Sequence, residues 1–149
     1  MIFTQCRRPF EILLAEDNPG DIRLTREALR ATNINHHLHV VLDGVEAMAF
    51  LRHQGAYAGT PQPDLILLDL NMPRMDGRHV LALLKSDADL RRIPVVVLTC
   101  SQNETDIQAV YELQANCYVT KPSDFDEFMS VVKAIEEFWT ITAELPLVA

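Results

Sequence analysis

The sequence predicts a doubly wound α/β domain, a five-stranded parallel sheet with five helices packed on its two faces. Three observations carry that expectation. Apolar runs alternate with amphipathic stretches along the chain, the order that builds parallel βαβ units. Two runs, LILLD (65–69) and PVVVLT (94–99), are apolar at nearly every position, as in strands covered on both faces. The chain has 149 residues, no internal repeat and no low-complexity linker, which suits one domain able to bury a full core.

The elements follow in order. FEILLA (10–15) is the first strand, and a helix runs from about Gly20 to Ala31 with Ile22, Thr25, Ala28 and Leu29 inward. HLHVVL (37–42) is a weaker strand, and DGVEAMAFLRH (43–53) a helix with Val45, Ala49 and Phe50 on one side. GAYAGTPQP (55–63) is a loop by its Gly and Pro content. Asp43-Gly44 reads as a turn and cap. LILLD is the third strand, Asp76 to Ser86 a helix, and PVVVLT the fourth strand. A helix over 104–114, the short strand CYVT (117–120) and a fifth helix after Pro122 complete the pattern. On that last helix Phe125, Phe128, Met129, Val132, Ile135 and Trp139 form one apolar stripe. Val131 and Phe138 widen it, and Ile141, Leu145, Leu147 and Val148 continue beyond it. Such an excess marks either a partner surface or a tail folded onto its own domain.

Composition excludes several classes. With 13 basic and 21 acidic residues the net charge is −8, unsuited to nucleic-acid binding that runs on phosphate neutralisation. No apolar run approaches a membrane span. The opening MIFTQCRRPF lacks the apolar core of a signal peptide, so a cytoplasmic location is expected. Cys6, Cys100 and Cys117 are odd in number and lack C-x-x-C spacing, against structural disulfides or a zinc site. His36, His37 and His39 alternate along an edge-like strand with no further ligand in view, and read as surface positions.

In doubly wound folds, sites gather beyond the carboxyl ends of the strands. There this chain has Glu16-Asp17, Asp69, Thr99 and Thr120-Lys121. Carboxylates brought together repel one another. A hard divalent cation such as Mg²⁺ resolves the repulsion, taking carboxylates while leaving positions for water and phosphate. Asp69 is then placed to act as a nucleophile towards a phosphoryl group, with Lys121 and Thr99 meeting the phosphoryl oxygens. The turn NMPRMDG after it lets a backbone carbonyl, that of Asn71, reach the metal. The bland reading of Glu16-Asp17 is a solvated turn with Asn18 or Asp21 as helix cap.

The set EDNPGD, LILLDLNMPRMDG, VVVLTCS and YVTKP resembles the receiver domain of bacterial two-component response regulators over about residues 10–138, with 139–149 as an extension. The resemblance implies strand order 2-1-3-4-5, phosphate acceptance by Asp69 from a histidine kinase, and Mg²⁺ held by Glu16, Asp17 and Asp69. It also implies a switch pair of Thr99 and Tyr118, an ion pair from Lys121, and a cis bond at Lys121-Pro122. Tyr118 also fits a half-buried strand aromatic. Cys100 stands where the family usually has another small residue, which bears on the width of the phosphate slot. Such a protein is a phosphoacceptor that assists its own phosphorylation and dephosphorylation rather than an enzyme on other substrates.

Within the family, EDNPGDIRLTREAL and the extension with Phe138-Trp139 look like regulators paired with bacterial phytochrome kinases. Too few residues follow Phe138 for an output domain, so output is expected through protein contacts. A homodimer is expected through the fourth helix, fifth strand and fifth helix. A haloacid-dehalogenase-type phosphohydrolase fits poorly, because its D-x-D-x-T follows the first strand. A flavodoxin-like cofactor binder needs a Ser/Thr/Gly-rich phosphate loop where this chain has EDNPGD.

Overall fold

The computed structural model describes residues 8–32, 34–142 and 145. Its strands are β1 (Phe10–Ala15), β2 (His36–Val41), β3 (Leu65–Leu68), β4 (Val95–Thr99) and β5 (Cys117–Thr120). The α-helices are α1 (Pro19–Arg30), α2 (Gly44–Leu51), α3 (Gly77–Ser86), α4 (Glu104–Glu112) and α5 (Phe125–Glu137). A short 3-10 turn, Gly55–Tyr57, interrupts the expected loop, and a π-helical turn, Phe138–Thr142, follows α5. All strands are parallel, in the order β2-β1-β3-β4-β5. The fold class and strand order are as expected.

The apolar runs at β3 and β4 are continuous because both sheet faces are covered, and every residue of those two strands is buried. Ile12, Leu14, Leu65, Leu67, Val96 and Leu98 meet Ala28 and Leu29 of α1 and Phe128 and Val132 of α5 on one face. Leu13, Ile66, Leu68, Val95 and Val97 meet residues of α2, α3 and α4 on the other. Truncating one of the central leucines to Ala removes packing worth about 2–5 kcal/mol.

Helix α1 begins where Asn18 Oδ1 accepts the Asp21 N–H at 3.0 Å and Pro19 takes the first helical position, whose N–H would have no partner anyway. Its buried Thr25 is accommodated by donating its hydroxyl to the Asp21 carbonyl at 2.8 Å.

Helix α2 departs from the expected face. Gly44, Ala47, Met48, Phe50 and Leu51 are buried, Val45 is 41% exposed and Ala49 is only half-buried. The cause is at the helix start. The Gly44 N–H donates to the Met75 carbonyl at 3.0 Å, and a Cβ at Gly44 would overlap that carbonyl. This docking fixes the rotation of the helix, so positions 44, 47, 48 and 51 face inward.

Helix α5 departs too. Phe128 and Val132 are buried and Met129, Ile135 and Trp139 pack partly against the core, but Phe125, at the helix start, is 55% exposed. Glu136 is buried instead. Phe138 is 48% exposed, and its ring meets Trp139 edge-on at 5.2 Å between centroids. The reading of a tail folded onto its own domain thus holds for Trp139, which turns towards the core, while Phe138 points outward. Cys6, Leu147 and Val148 lie outside the described residues, as does the side chain of Ile141.

Candidate functional site

Four strands deliver their terminal residues to one edge. Glu16, just past β1, is 2% exposed, Asp69 past β3 is 7% exposed, and Thr99 at the end of β4 is fully buried. Asp17 is exposed. Ligand atoms of Glu16, Asp17 and Asp69, one from each, lie within 4.8 Å of one another. The Lys121 ammonium, past β5, enters this group through Glu16 Oε1, Asp21 Oδ2 at 2.8 Å and Asp69 Oδ2 at 3.6 Å. Its own N–H donates to the Thr99 carbonyl at 2.8 Å, which ties β5 to the end of β4.

Burial is the main reason that the Glu16 carboxyl is pushed up to about 7, with the Asp69 charge adding to it and Lys121 opposing. Burial alone would lower Lys121, but its bonds to Asp21 and Glu16 more than offset this and hold it above its ordinary value. One cation is therefore shared by three carboxylates, and an all-oxygen cluster of this kind fits a further hard divalent cation. The Thr99 hydroxyl oxygen is buried and has no hydrogen-bond partner among the described residues. A buried hydroxyl that meets nothing is uncommon and suits an acceptor arriving beside it.

The loop after Asp69 is held tightly. Asp69 Oδ1 accepts the Asn71 N–H at 3.4 Å, and the Gly77 N–H returns to the Leu70 carbonyl at 2.9 Å. A Cβ at Gly77 would overlap the Asp69 carbonyl, so only glycine lets α3 start this close to the strand end. Arg74 has φ 64°, a left-handed conformation, and its guanidinium is anchored to Asp43 Oδ2 at 2.7 Å. Asp43 also caps α2 by accepting the Glu46 N–H at 2.8 Å. The Asp43-Gly44 pair therefore has the structural role expected of it, and additionally braces the loop.

The Tyr118 hydroxyl donates to the Ser101 carbonyl at 2.7 Å, and the ring packs partly into the core. The half-buried strand aromatic is what the packing shows, and the hydroxyl in addition ties Tyr118 to the loop just beyond Thr99. Ser101 also donates its hydroxyl to Asp106 Oδ2 at 2.7 Å, and Asp106 pairs with Arg78 of α3. Sequence reasoning missed Ser101 and the part played by Asp21. Asp21 was within reach, as an acid in the first turn of the helix that follows Glu16-Asp17.

Two expectations are corrected. No peptide bond among the described residues is cis, so Lys121–Pro122 is trans. The preference between isomers at an X–Pro bond is only about 0.5–1 kcal/mol, and Lys121 makes its contacts with the bond trans. The β2 histidines are not simply surface residues. His37 is 58% exposed in its side chain, but His39 packs on Phe50 and His36 faces the buried Glu136 at 3.4 Å.

A sheet of this order with carboxylates, a hydroxyl and an ammonium at its carboxyl edge is the architecture of a phosphorelay receiver. The model of the response regulator receiver domain matches residues 12–133, and the chain belongs to that family. It is 52% identical to response regulator Rcp1 of Synechocystis sp. over 138 residues, 93% of this chain and 94% of that one. The structure of the phosphorylated cyanobacterial phytochrome response regulator RcpA is similar, with TM-score 0.91 and 54% identity over 94% of this chain and 100% of that one. So is the Mn²⁺-bound form of Rcp1, with TM-score 0.89 and 52% identity over 93% of this chain and 100% of that one. A receiver domain implies a histidine kinase as partner. Among the described residues no helix is long and apolar enough to cross a membrane.

Proposed function

We propose that this protein is a phosphorylation-controlled switch in which Asp69 accepts a phosphoryl group from a phosphohistidine of a sensor kinase, of the bacterial phytochrome type. The observation that carries it is the grouping of buried Asp69 with Glu16, Asp17 and Lys121, beside a Thr99 hydroxyl that lacks a partner. The phytochrome pairing is supported by the similarity to RcpA, described as a phytochrome response regulator.

In the transfer, an Asp69 carboxylate oxygen attacks phosphorus and the P–N bond to the donor imidazole breaks. The electron pair returns to the imidazole nitrogen, which takes up a proton. Glu16, Asp17, Asp69 and the Asn71 carbonyl would hold Mg²⁺, which neutralises charge on the phosphoryl oxygens when bound. Lys121 contributes a fixed positive charge to the same oxygens and Thr99 donates a hydrogen bond. The same groups serve the later hydrolysis of the acyl phosphate.

Movement of Thr99 towards the new oxygens displaces the loop at Ser101, and with it the Tyr118 latch. The surface altered is that of α4, β5 and α5, and we assign the homodimer to this face with the C-terminal extension. Exposed Phe138 is the anchor there, supported by Trp139. The setting is cytoplasmic.

Acetyl phosphate should add one phosphoryl mass to the wild type in the presence of Mg²⁺ and none to Asp69→Asn, whose fold is kept because the change is nearly isosteric. Equal labelling of the two would refute the acceptor assignment. For the dimer, sedimentation of the phosphorylated protein and of Phe138→Ala is the measurement, and a monomer at high concentration in every state removes it.

A further inference from the structure

His37 and His39 are two apart on β2, so strand alternation places both imidazoles on the same side of the sheet. Across the ladder, Glu11 of β1 is aligned with His37. Its carboxylate reaches both rings: Oε2 lies 3.1 Å from His37 Nδ1, and Oε1 lies 2.8 Å from His39 Nε2. Ligand atoms of the three residues all lie within 4.8 Å of one another. We propose that Glu11, His37 and His39 form a second metal site, for a divalent transition-metal ion of the Zn²⁺ class.

The donor set decides the ion. Two imidazole nitrogens and one carboxylate are a recurring three-residue zinc set with the fourth position open to water or to a group from a partner. Imidazole suits Zn²⁺, Cu²⁺ and Ni²⁺, whereas Mg²⁺ prefers oxygen alone, so this site and the acidic cluster select different metals. Along β1 the step from Glu11 to Glu16 is five residues, roughly 16 Å at strand rise, so the two sites share no ligand.

The ligands are already oriented. The His39 ring packs on buried Phe50, with 5.2 Å between centroids, and Phe50 in turn packs on Tyr57. The Glu11 main chain is fixed by its own N–H, which donates to Asp64 Oδ2 at 2.9 Å, and Arg8 grips that carboxylate at 2.7 and 2.8 Å. His37 is the exposed member and leaves an entry path. Ligand atoms about 2.0–2.1 Å from a tetrahedral ion stand about 3.3 Å apart. The His37 contact at 3.1 Å is already close to this spacing, and the His39 contact at 2.8 Å must open by about 0.5 Å, with the Glu11 carboxylate turning one oxygen to the ion. The ion would replace hydrogen bonds between edge strand β2 and β1 by coordinate bonds, tying down the sheet edge.

The test is Zn²⁺ titration of the full chain by calorimetry, in an Asp17→Asn/Asp69→Asn background that disables the acidic cluster. One equivalent should bind, and Co²⁺ should give visible ligand-field absorption. His37→Ala, His39→Ala and Glu11→Gln should each weaken binding by about tenfold or more, the scale on which disturbing a metal site acts. A second reading that leaves the strand unaltered comes from NMR of the parent protein. At one equivalent of Zn²⁺ the imidazole signals of His37 and His39 should shift, and those of His53 and His79 should not. Affinity unchanged by both histidine variants overturns the proposal. So does a perturbation confined to His53, His79 or the exposed Cys100, and so does the lack of any Zn²⁺ binding at millimolar concentration.

Discussion

Beyond the carboxyl ends of the strands, Thr99 is buried without a partner, Glu16 is pushed up to about 7, and α3 starts against the Asp69 carbonyl at a position only glycine tolerates. At the amino ends of the same sheet, Asp64 accepts from the Arg8 guanidinium and the Glu11 N–H, Glu11 meets two imidazoles, and Glu136 faces His36. Charged groups are buried at both ends, but at one end three carboxylates share the single Lys121 ammonium, and at the other Asp64 and Glu11 each meet basic groups of their own and Glu136 faces His36 at 3.4 Å. The difference is one of convergence: carboxylates from β1, α1 and β3 meet on one ammonium at the carboxyl ends, where folds of this class carry their sites, whereas neighbouring elements pair off at the amino ends.

The largest effect expected is at the strained end. Gly77→Ala should destabilise the protein by about 3 kcal/mol, since the added Cβ must push against backbone rather than a flexible side chain. Denaturant unfolding measures it, and a change within error of zero would mean that the loop is not held as described.

Thr99→Val sharpens the contrast in the opposite direction. Removing a buried hydroxyl that has no partner among the described residues should stabilise the unmodified protein by about 1 kcal/mol while slowing phosphorylation. A loss of stability in the same melt would show that the hydroxyl already has a partner.

A smaller and pH-dependent gain is expected from Glu136→Gln. Burial raises the Glu136 carboxyl above its ordinary value, with Thr32 and His36 opposing. The folded state then holds its proton more tightly than the unfolded state. Wild-type stability should therefore fall as pH rises from the ordinary carboxylate value through the raised one. Glutamine does not titrate, so the variant should be the more stable above that window. Thermal melts across pH 4–8 with no such crossover would remove Glu136 as the cause.

Least affected should be Arg8→Ala, at about 0.5 kcal/mol or less. Arg8 is 61% exposed, and Asp64 keeps the Glu11 N–H when the guanidinium is removed. A cost of several kcal/mol by urea titration would mean that the paired end depends on this ion pair for its integrity.

Much of the site was legible in the sequence because it sits where the fold rule places sites. Once β1, β3, β4 and β5 were recognised, their last residues named Glu16, Asp17, Asp69, Thr99 and Lys121 without any contact being known. What was hidden needed a register or a rotation. Glu11 meets His37 only through the β1–β2 alignment, across a separation of 26 residues. The buried face of α2 is set by Gly44 docking on Met75, a long-range contact that periodicity cannot carry. Glu136 stood in an apolar stripe but reads as polar, and only its burial against β2 reveals it.

The Thr99 hydroxyl also bears on how much a modification must supply. A buried polar group left unmatched raises the resting state by about 1–3 kcal/mol. That range corresponds to a factor of about 5–150 in an equilibrium between two arrangements. The resting domain therefore stands part of the way up the slope towards any arrangement in which Thr99 finds an acceptor. On the proposed phosphorylation, an oxygen beside Asp69 would supply only part of the free-energy difference between the states, the rest coming from the bond Thr99 gains at the end of β4.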